Sequence, residues 1–162
     1  MTLHIRPAAM EDLRRCAAIE AACFPSDQGA DAETIARRIE AYGEHVLVGE
    51  MEDEVVGYVM GPVIDKPYIE DWMYTNISCH QPDNPYQSVF SLAVMPTVQR
   101  RGLGSQLLHA MVALARQEGR SGITLTCLKD KISFYEGLDF VNRGLSSSTH
   151  GGVSWYNMFR AL

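Results

Sequence analysis

Ser88-Val89-Phe90-Ser91-Leu92-Ala93-Val94-Met95-Pro96-Thr97-Val98-Gln99-Arg100-Arg101-Gly102-Leu103-Gly104-Ser105 is the stretch whose reading decides the fold. Val89 to Met95 is a short apolar run, the pattern of a buried strand, and Pro96 stops it because proline cannot donate to a sheet ladder. A basic, glycine-containing turn follows. Behind it Leu103, Leu107, Met111 and Leu114 recur at helical spacing, with Leu108, Val112 and Ala115 beside them. A strand, a tight turn and a helix in that order aim free backbone N–H groups and the positive helix end at one spot, which suits a phosphate. Gly102 and Gly104 leave the backbone bare for close approach, and Arg100 and Arg101 add charge. The spelling excludes a P-loop, which needs a lysine here. It excludes the dinucleotide fingerprint too, because Leu107 stands where a third glycine belongs.

The chain outside this stretch sets bounds. Its 162 residues predict one domain, 1–162, with enough length for a sizeable core. A net charge of −6 argues against non-specific nucleic-acid binding and favours cationic small partners. No apolar run approaches the roughly 20 residues of a membrane span, and the start of the chain has no signal-peptide pattern. Cys16, Cys23, Cys79 and Cys127 form no Cys-x-x-Cys pair and read as reduced packing residues of a cytoplasmic protein. His and Cys show no metal-ligand spacing.

Element by element, Leu3 to Pro7 predicts a first strand and Met10 to Phe24 an amphipathic helix. Asp31 caps a second helix lined by Ile35, Ile39 and Tyr42, with Gly43 at its exit. His45 to Met51 and Val55 to Ile64 read as a hairpin joined by Glu52-Asp53-Glu54, in which Gly57 and Gly61 mark bulges or close backbone approach. Residues 65–87 are irregular, a surface excursion with a short helix near Glu70 to Tyr74 or a lid over a cationic or aromatic ligand. The central helix closes near Gly119. Gly122 to Cys127 is a strand, Lys131 to Gly137 a short helix, and Phe140 to Asn142 and Trp155 to Phe159 the last strands. The sum is an α+β fold: a mixed, mostly antiparallel sheet with helices on both faces.

Gln99-x-x-Gly102-x-Gly104 after Leu92-Ala93-Val94 resembles the acetyl-CoA signature of the GNAT superfamily of N-acetyltransferases, and the element order is similar over essentially the whole chain. Cys127 to Tyr135 resembles the cysteine–tyrosine segment of its arylalkylamine (serotonin) N-acetyltransferase branch, as does Ile19-Glu20-Ala21-Ala22-Cys23-Phe24. The resemblance implies acetyl-CoA as co-substrate and no metal. Leu92, Ala93 and Val94 would meet the pantetheine arm. Gln99, Arg100, Arg101, Gly102, Leu103, Gly104 and Ser105 would form the pyrophosphate turn. Tyr135 would be the general acid and Phe24 would line the amine pocket. Two departures stand out. Where animal enzymes of the branch carry two proton-relay histidines, this chain has Ser88 and Phe90, and the usual Phe-Gly-Phe is Leu138-Asp139-Phe140.

Amine attack on a thioester needs a proton acceptor, because a primary amine near the lysine reference pKa of about 10.4 is mostly ammonium at neutral pH. A tyrosine suits protonation of the leaving thiolate, not the basic role. His80, His150, Glu70 and Asp71 are the candidates for the base. The expected function is acetylation of a small amine of arylalkylamine, polyamine or amino-sugar type. A protein lysine or N-terminal acetyltransferase and a non-catalytic acetyl-CoA-binding regulatory module are the alternatives. A homodimer through the last strands is left open.

Overall fold

The apolar periodicities become elements in the order expected of them in a computed structural model that describes residues 2–162. Strand β1 (His4–Pro7) leads through a 3-10 turn into helix α1 (Leu13–Cys23), followed by helix α2 (Ala32–Tyr42). Asp31 caps α2 as predicted, accepting from the Thr34 N–H at 2.8 Å. Strands β2 (Val46–Met51) and β3 (Glu54–Met60) form the hairpin, with Glu52 and Asp53 both at positive φ, the twist a two-residue turn requires. Then come β4 (Val63–Ile64), β5 (Tyr86–Val89), β6 (Ser91–Val94), helix α3 (Leu103–Gln117), β7 (Gly122–Cys127), helix α4 (Ile132–Glu136), β8 (Val141–Leu145) and β9 (Tyr156–Ala161).

Period-two alternation sends the strand side chains to two cores. Val46, Val48, Tyr58 and Met60 join Cys16, Ile19, Ile35 and Ile39 of α1 and α2 on one face. Leu47 and Val59 join Leu103, Leu107 and Met111 of α3 on the other. The helices therefore flank the sheet on both sides.

Two expected strands divide. The run Val89 to Met95 is not one strand: β5 pairs in parallel with β7, β6 pairs antiparallel with β3, and Phe90 lies at the break. The run Val55 to Ile64 also splits, β3 staying in one sheet and β4 joining the other. The result is a four-stranded sheet, β1-β2-β3-β6, and a five-stranded sheet, β4-β5-β7-β9-β8. Gly61 is the close approach that its position suggested, since a Cβ there would run into the Ser88 backbone. The irregular 65–87 segment holds two 3-10 turns and packs Ile69, Met73 and Cys79 with Ile64 into a small core of its own. Trp72 is exposed on its outside.

Candidate active site

The fork at Phe90 makes the site. Beyond it β6 leaves β7 and keeps only β3 as a neighbour. The Met95 N–H bonds to the Val56 carbonyl at 2.7 Å. In an antiparallel ladder such bonds alternate, so Leu92 and Val94 turn their backbone groups to the open edge. That edge faces Leu125, Thr126 and Cys127 of β7 across a cleft of about 1030 Å³. The Val94 carbonyl is engaged, by the Gln99 amide at 2.9 Å and the Cys23 thiol at 3.2 Å. Leu92 is the residue that offers a free edge. Ala93 faces the core with α1 and α2 and does not line the cleft.

At the far end of β6 the turn into α3 gathers backbone N–H groups that have no intrahelical acceptor. Arg100 and Gly102 both adopt left-handed backbone, φ 65° and 77°, and such alternation gathers successive N–H groups into a concavity. Gly102 is the N-cap and supplies no side chain. The first bond of the helix runs from the Gln106 N–H to the Gly102 carbonyl. The N–H groups of Leu103, Gly104 and Ser105 therefore lack intrahelical acceptors. The cradle is roomy: a Cβ at Gly102 would meet nothing within 4 Å, and one at Gly104 only Phe134 and Val94 at 3.9 Å. Gln99 ties the turn to β6 through Val94. Arg100 lines the cleft, whereas Arg101 lies beside a separate hollow with Pro96 and Thr97.

Tyr135 stands on the cleft wall from α4, held edge-to-face by Phe134 at 5.0 Å and Phe140 at 5.9 Å. Burial raises its phenol above the ordinary range, with a smaller push from Cys127, so it carries its proton at neutral pH. The Cys127 thiol is itself pushed up to about 11 by burial and is inert as a nucleophile.

The start of β6 opens into an aromatic chamber. Phe24, Tyr74, Phe90, His150 and Trp155 line it. Tyr74 stacks on His150 at 4.9 Å and meets Phe90 at 4.6 Å. The His150 Nε2 lies 3.0 Å from the Gln28 carbonyl, which can only accept, so that nitrogen bears hydrogen. Asp71 is outside the cleft. It takes the Ser148 hydroxyl and the Thr149 N–H, the latter at 3.0 Å, and so pins the loop that carries His150. Glu70 is turned away, bound to Lys66 at 2.9 Å and the Trp72 indole at 3.1 Å. His80 is remote too. It accepts from the Val63 N–H at 2.9 Å beside Tyr42 and His45, and burial lowers it to about 4.

Two residues in the chamber escaped the sequence reading. Glu20, 3% exposed, sits on the buried stripe of α1, four residues after Cys16. It accepts from the Tyr58 hydroxyl and, at 2.8 Å, from the Ala30 N–H. Burial raises its carboxyl, while the Ala30 N–H and the Arg38 charge pull the other way. Arg38, 5% exposed, lies over the Phe90 ring at 5.1 Å and donates to the Tyr74 carbonyl at 3.0 Å. Its Nε is buried without a partner among the described residues. The signal was available in both cases: a charge on the apolar face of an amphipathic helix needs a reason.

The model of the Acetyltransferase (GNAT) family matches residues 9–140. Among solved structures, the fold is similar to the loading GNATL domain of CurA from Lyngbya majuscula, with TM-score 0.86, 18% identity, and 99% of this chain and 98% of that one covered. It is similar to the GphF GNAT-like decarboxylase in complex with isobutyryl-CoA, with TM-score 0.86, 20% identity and 98% of each chain covered. A third likeness is to yncA, a putative acetyltransferase from Salmonella typhimurium with its cofactor acetyl-CoA. There the TM-score is 0.72 and the identity 20%, over 100% of this chain and 95% of that one.

Proposed function

The chain belongs to the GNAT acetyltransferase family, and from that premise we propose that it moves the acetyl group of acetyl-CoA to a primary amine of a small molecule, by direct attack through a tetrahedral intermediate. One observation carries the reading. The open edge of β6 runs from the aromatic chamber into the uncapped N-terminus of α3, with Tyr135 on the wall between. Each part suits a part of the reaction. The turn 100–105 holds the pyrophosphate on backbone N–H groups, in a cradle only glycines leave bare. The Leu92 edge takes the pantetheine amides as a missing strand would, and its N–H stabilises the oxyanion. Tyr135 gives its proton to the departing thiolate, whose reference value near that of cysteine, about 8.5, lies well below the buried phenol's. That uphill step is driven by the tetrahedral centre, whose nitrogen returns the proton.

The walls of the chamber favour a small acceptor with an aromatic or apolar arm. Phe24, Tyr74 and Trp155 offer ring faces and edges, and Glu20 offers negative charge for the amine. The turn 25–30 and the loop 148–152 close on each other over it, with Gly151 so near Gln28 that a Cβ there would lie 2.8 Å from its side chain.

The test is CoA-thiol release with acetyl-CoA and a panel of tryptamine-like, polyamine, amino-sugar and lysyl-peptide acceptors. Saturable release with the tryptamine-like member, at the highest kcat/KM, is the expected result. Turnover of the peptide alone would establish the protein-acetyltransferase alternative. Calorimetric binding of acetyl-CoA with no release from any acceptor would establish a regulatory module.

A further inference from the structure

None of His80, Glu70 and Asp71 reaches the cleft; of the four candidates only His150 does, with its Nε2 on the Gln28 carbonyl, and Glu20 also lines the chamber. We propose that Glu20 takes the proton from the acceptor's ammonium group, an inference that rests on the acetyl transfer proposed above.

Position comes first. Glu20 lines the chamber at the start of β6, together with Ser91. Ser91 immediately precedes Leu92, whose open edge is the proposed seat of the reacting carbonyl. The base is thus one residue along the strand from the oxyanion donor, on the acceptor side, with Tyr135 on the wall for the thiolate. Chemistry comes second. A carboxylate in solution is too weak a base for an ammonium, but partial desolvation makes proton transfer to it easier. Too much desolvation would protonate it before substrate arrives. Three groups oppose that here: the Tyr58 hydroxyl, the Ala30 N–H and the Arg38 charge. The other groups facing Glu20 are Ser91 of β6, His150 of the late loop, and Cys16 and Cys23 of its own helix. Arg38 has no carboxylate within 4.0 Å among the described residues, so its charge is not spent on a tight ion pair.

The protons balance. Glu20 removes one proton from R–NH3⁺, and the freed lone pair forms the N–C bond. As the C–S bond breaks, Tyr135 protonates the sulfur and recovers its proton from the nitrogen of the tetrahedral centre. Glu20 then releases its proton to solvent. The products are the amide, CoA thiol and one H⁺.

The alternative role for Glu20 is a staple between α1, Tyr58 and the 25–30 turn, and Glu20→Gln separates the two. Glutamine can accept from Ala30 with its oxygen and donate to the Tyr58 hydroxyl with its amide, so the staple survives while the base is gone. The expected loss in kcat with an alkylamine at pH 7 is about 10²- to 10⁴-fold. Acetyl-CoA affinity by calorimetry stays unchanged. Hydroxylamine, uncharged at that pH, is acetylated at close to the wild-type rate, because it needs no base to free its lone pair. Equal losses for alkylamine and hydroxylamine would overturn the proposal and leave Glu20 a staple. Should Glu20→Gln not fold, Tyr58→Phe decides. It removes one bond that favours the carboxylate, so the acid limb of kcat with an alkylamine must move to higher pH, and an unmoved limb refutes the proposal. Wild-type protein that releases no CoA with any nucleophile refutes acetyl transfer itself, and this inference with it.

Discussion

Gly104→Ala is expected to make the protein more stable and a poorer binder of acetyl-CoA at the same time. Gly104 is the second residue of α3 and has ordinary helical backbone, so alanine adopts its conformation without strain. Alanine in place of glycine inside a helix gains about 0.5–1 kcal/mol, which for a chain of this size raises Tm by about 1–4 °C. The methyl has space in the free protein, with Phe134 and Val94 both 3.9 Å away. A helical Cβ tilts toward the N-terminus, however, and so into the anion cradle. Displacing one phosphate oxygen from a backbone N–H removes a charge-assisted bond worth about 1.5–3 kcal/mol, or about 10- to 100-fold in Kd. Calorimetry with acetyl-CoA and a thermal melt read both quantities. Acetyl-pantetheine, which lacks the pyrophosphate, is the control and should be used by wild type and variant alike. Unchanged acetyl-CoA affinity, or an equal loss with acetyl-pantetheine, would refute the assignment of residues 100–105 to the pyrophosphate.

Tyr135→Phe keeps the edge-to-face packing and removes the donor, so kcat should fall about 10²- to 10³-fold with acetyl-CoA affinity intact; steady-state kinetics beside calorimetry checks it. Arg38→Met removes the cation that favours ionised Glu20, so the acid limb of the kcat–pH profile should move to higher pH, the direction set by the loss of an attractive charge. Asp12 accepts from Arg6 at 2.8 and 2.9 Å and from the Ala9 N–H at 2.8 Å, and the Arg6 guanidinium holds its carboxyl below 3.8. Its stabilisation is present above that value and is lost as pH falls through the lowered one. Asp12→Asn should therefore cost about 2 kcal/mol at pH 7 in denaturant unfolding and progressively less in acid.

The strand–turn–helix of residues 89–115 was legible because its signals are local: an apolar run, a proline stop, two glycines and a helical stripe. The α2 cap at Asp31 and the hairpin at Glu52-Asp53 were legible for the same reason. The division at Phe90 was not, because alternation says which face a residue occupies and nothing about which strand lies beside it. Val55 to Ile64 has the same history; in the sequence only Gly61, read as a bulge or close approach, marked the place where the chain changes sheets. In the chamber, sequence reasoning looked for histidines in loops. Three of the four candidate bases lie outside the cleft: His80 and Asp71 are held by partners distant in sequence, Val63 and Ser148, and Glu70 by its neighbours Lys66 and Trp72. Glu20 was passed over because it sits in the middle of a helix, where a single carboxylate among apolar neighbours looks like noise in the periodicity.

The divided central strand also bears on how the molecule breathes. Leu92 belongs to a strand of the four-stranded sheet, yet its edge has no strand alongside. Its amide should exchange with solvent deuterium as quickly as one in a surface loop, while Ser91 and Ala93, bonded to β3, exchange slowly. A thioester arm laid along that edge would complete the sheet and silence the fast amide.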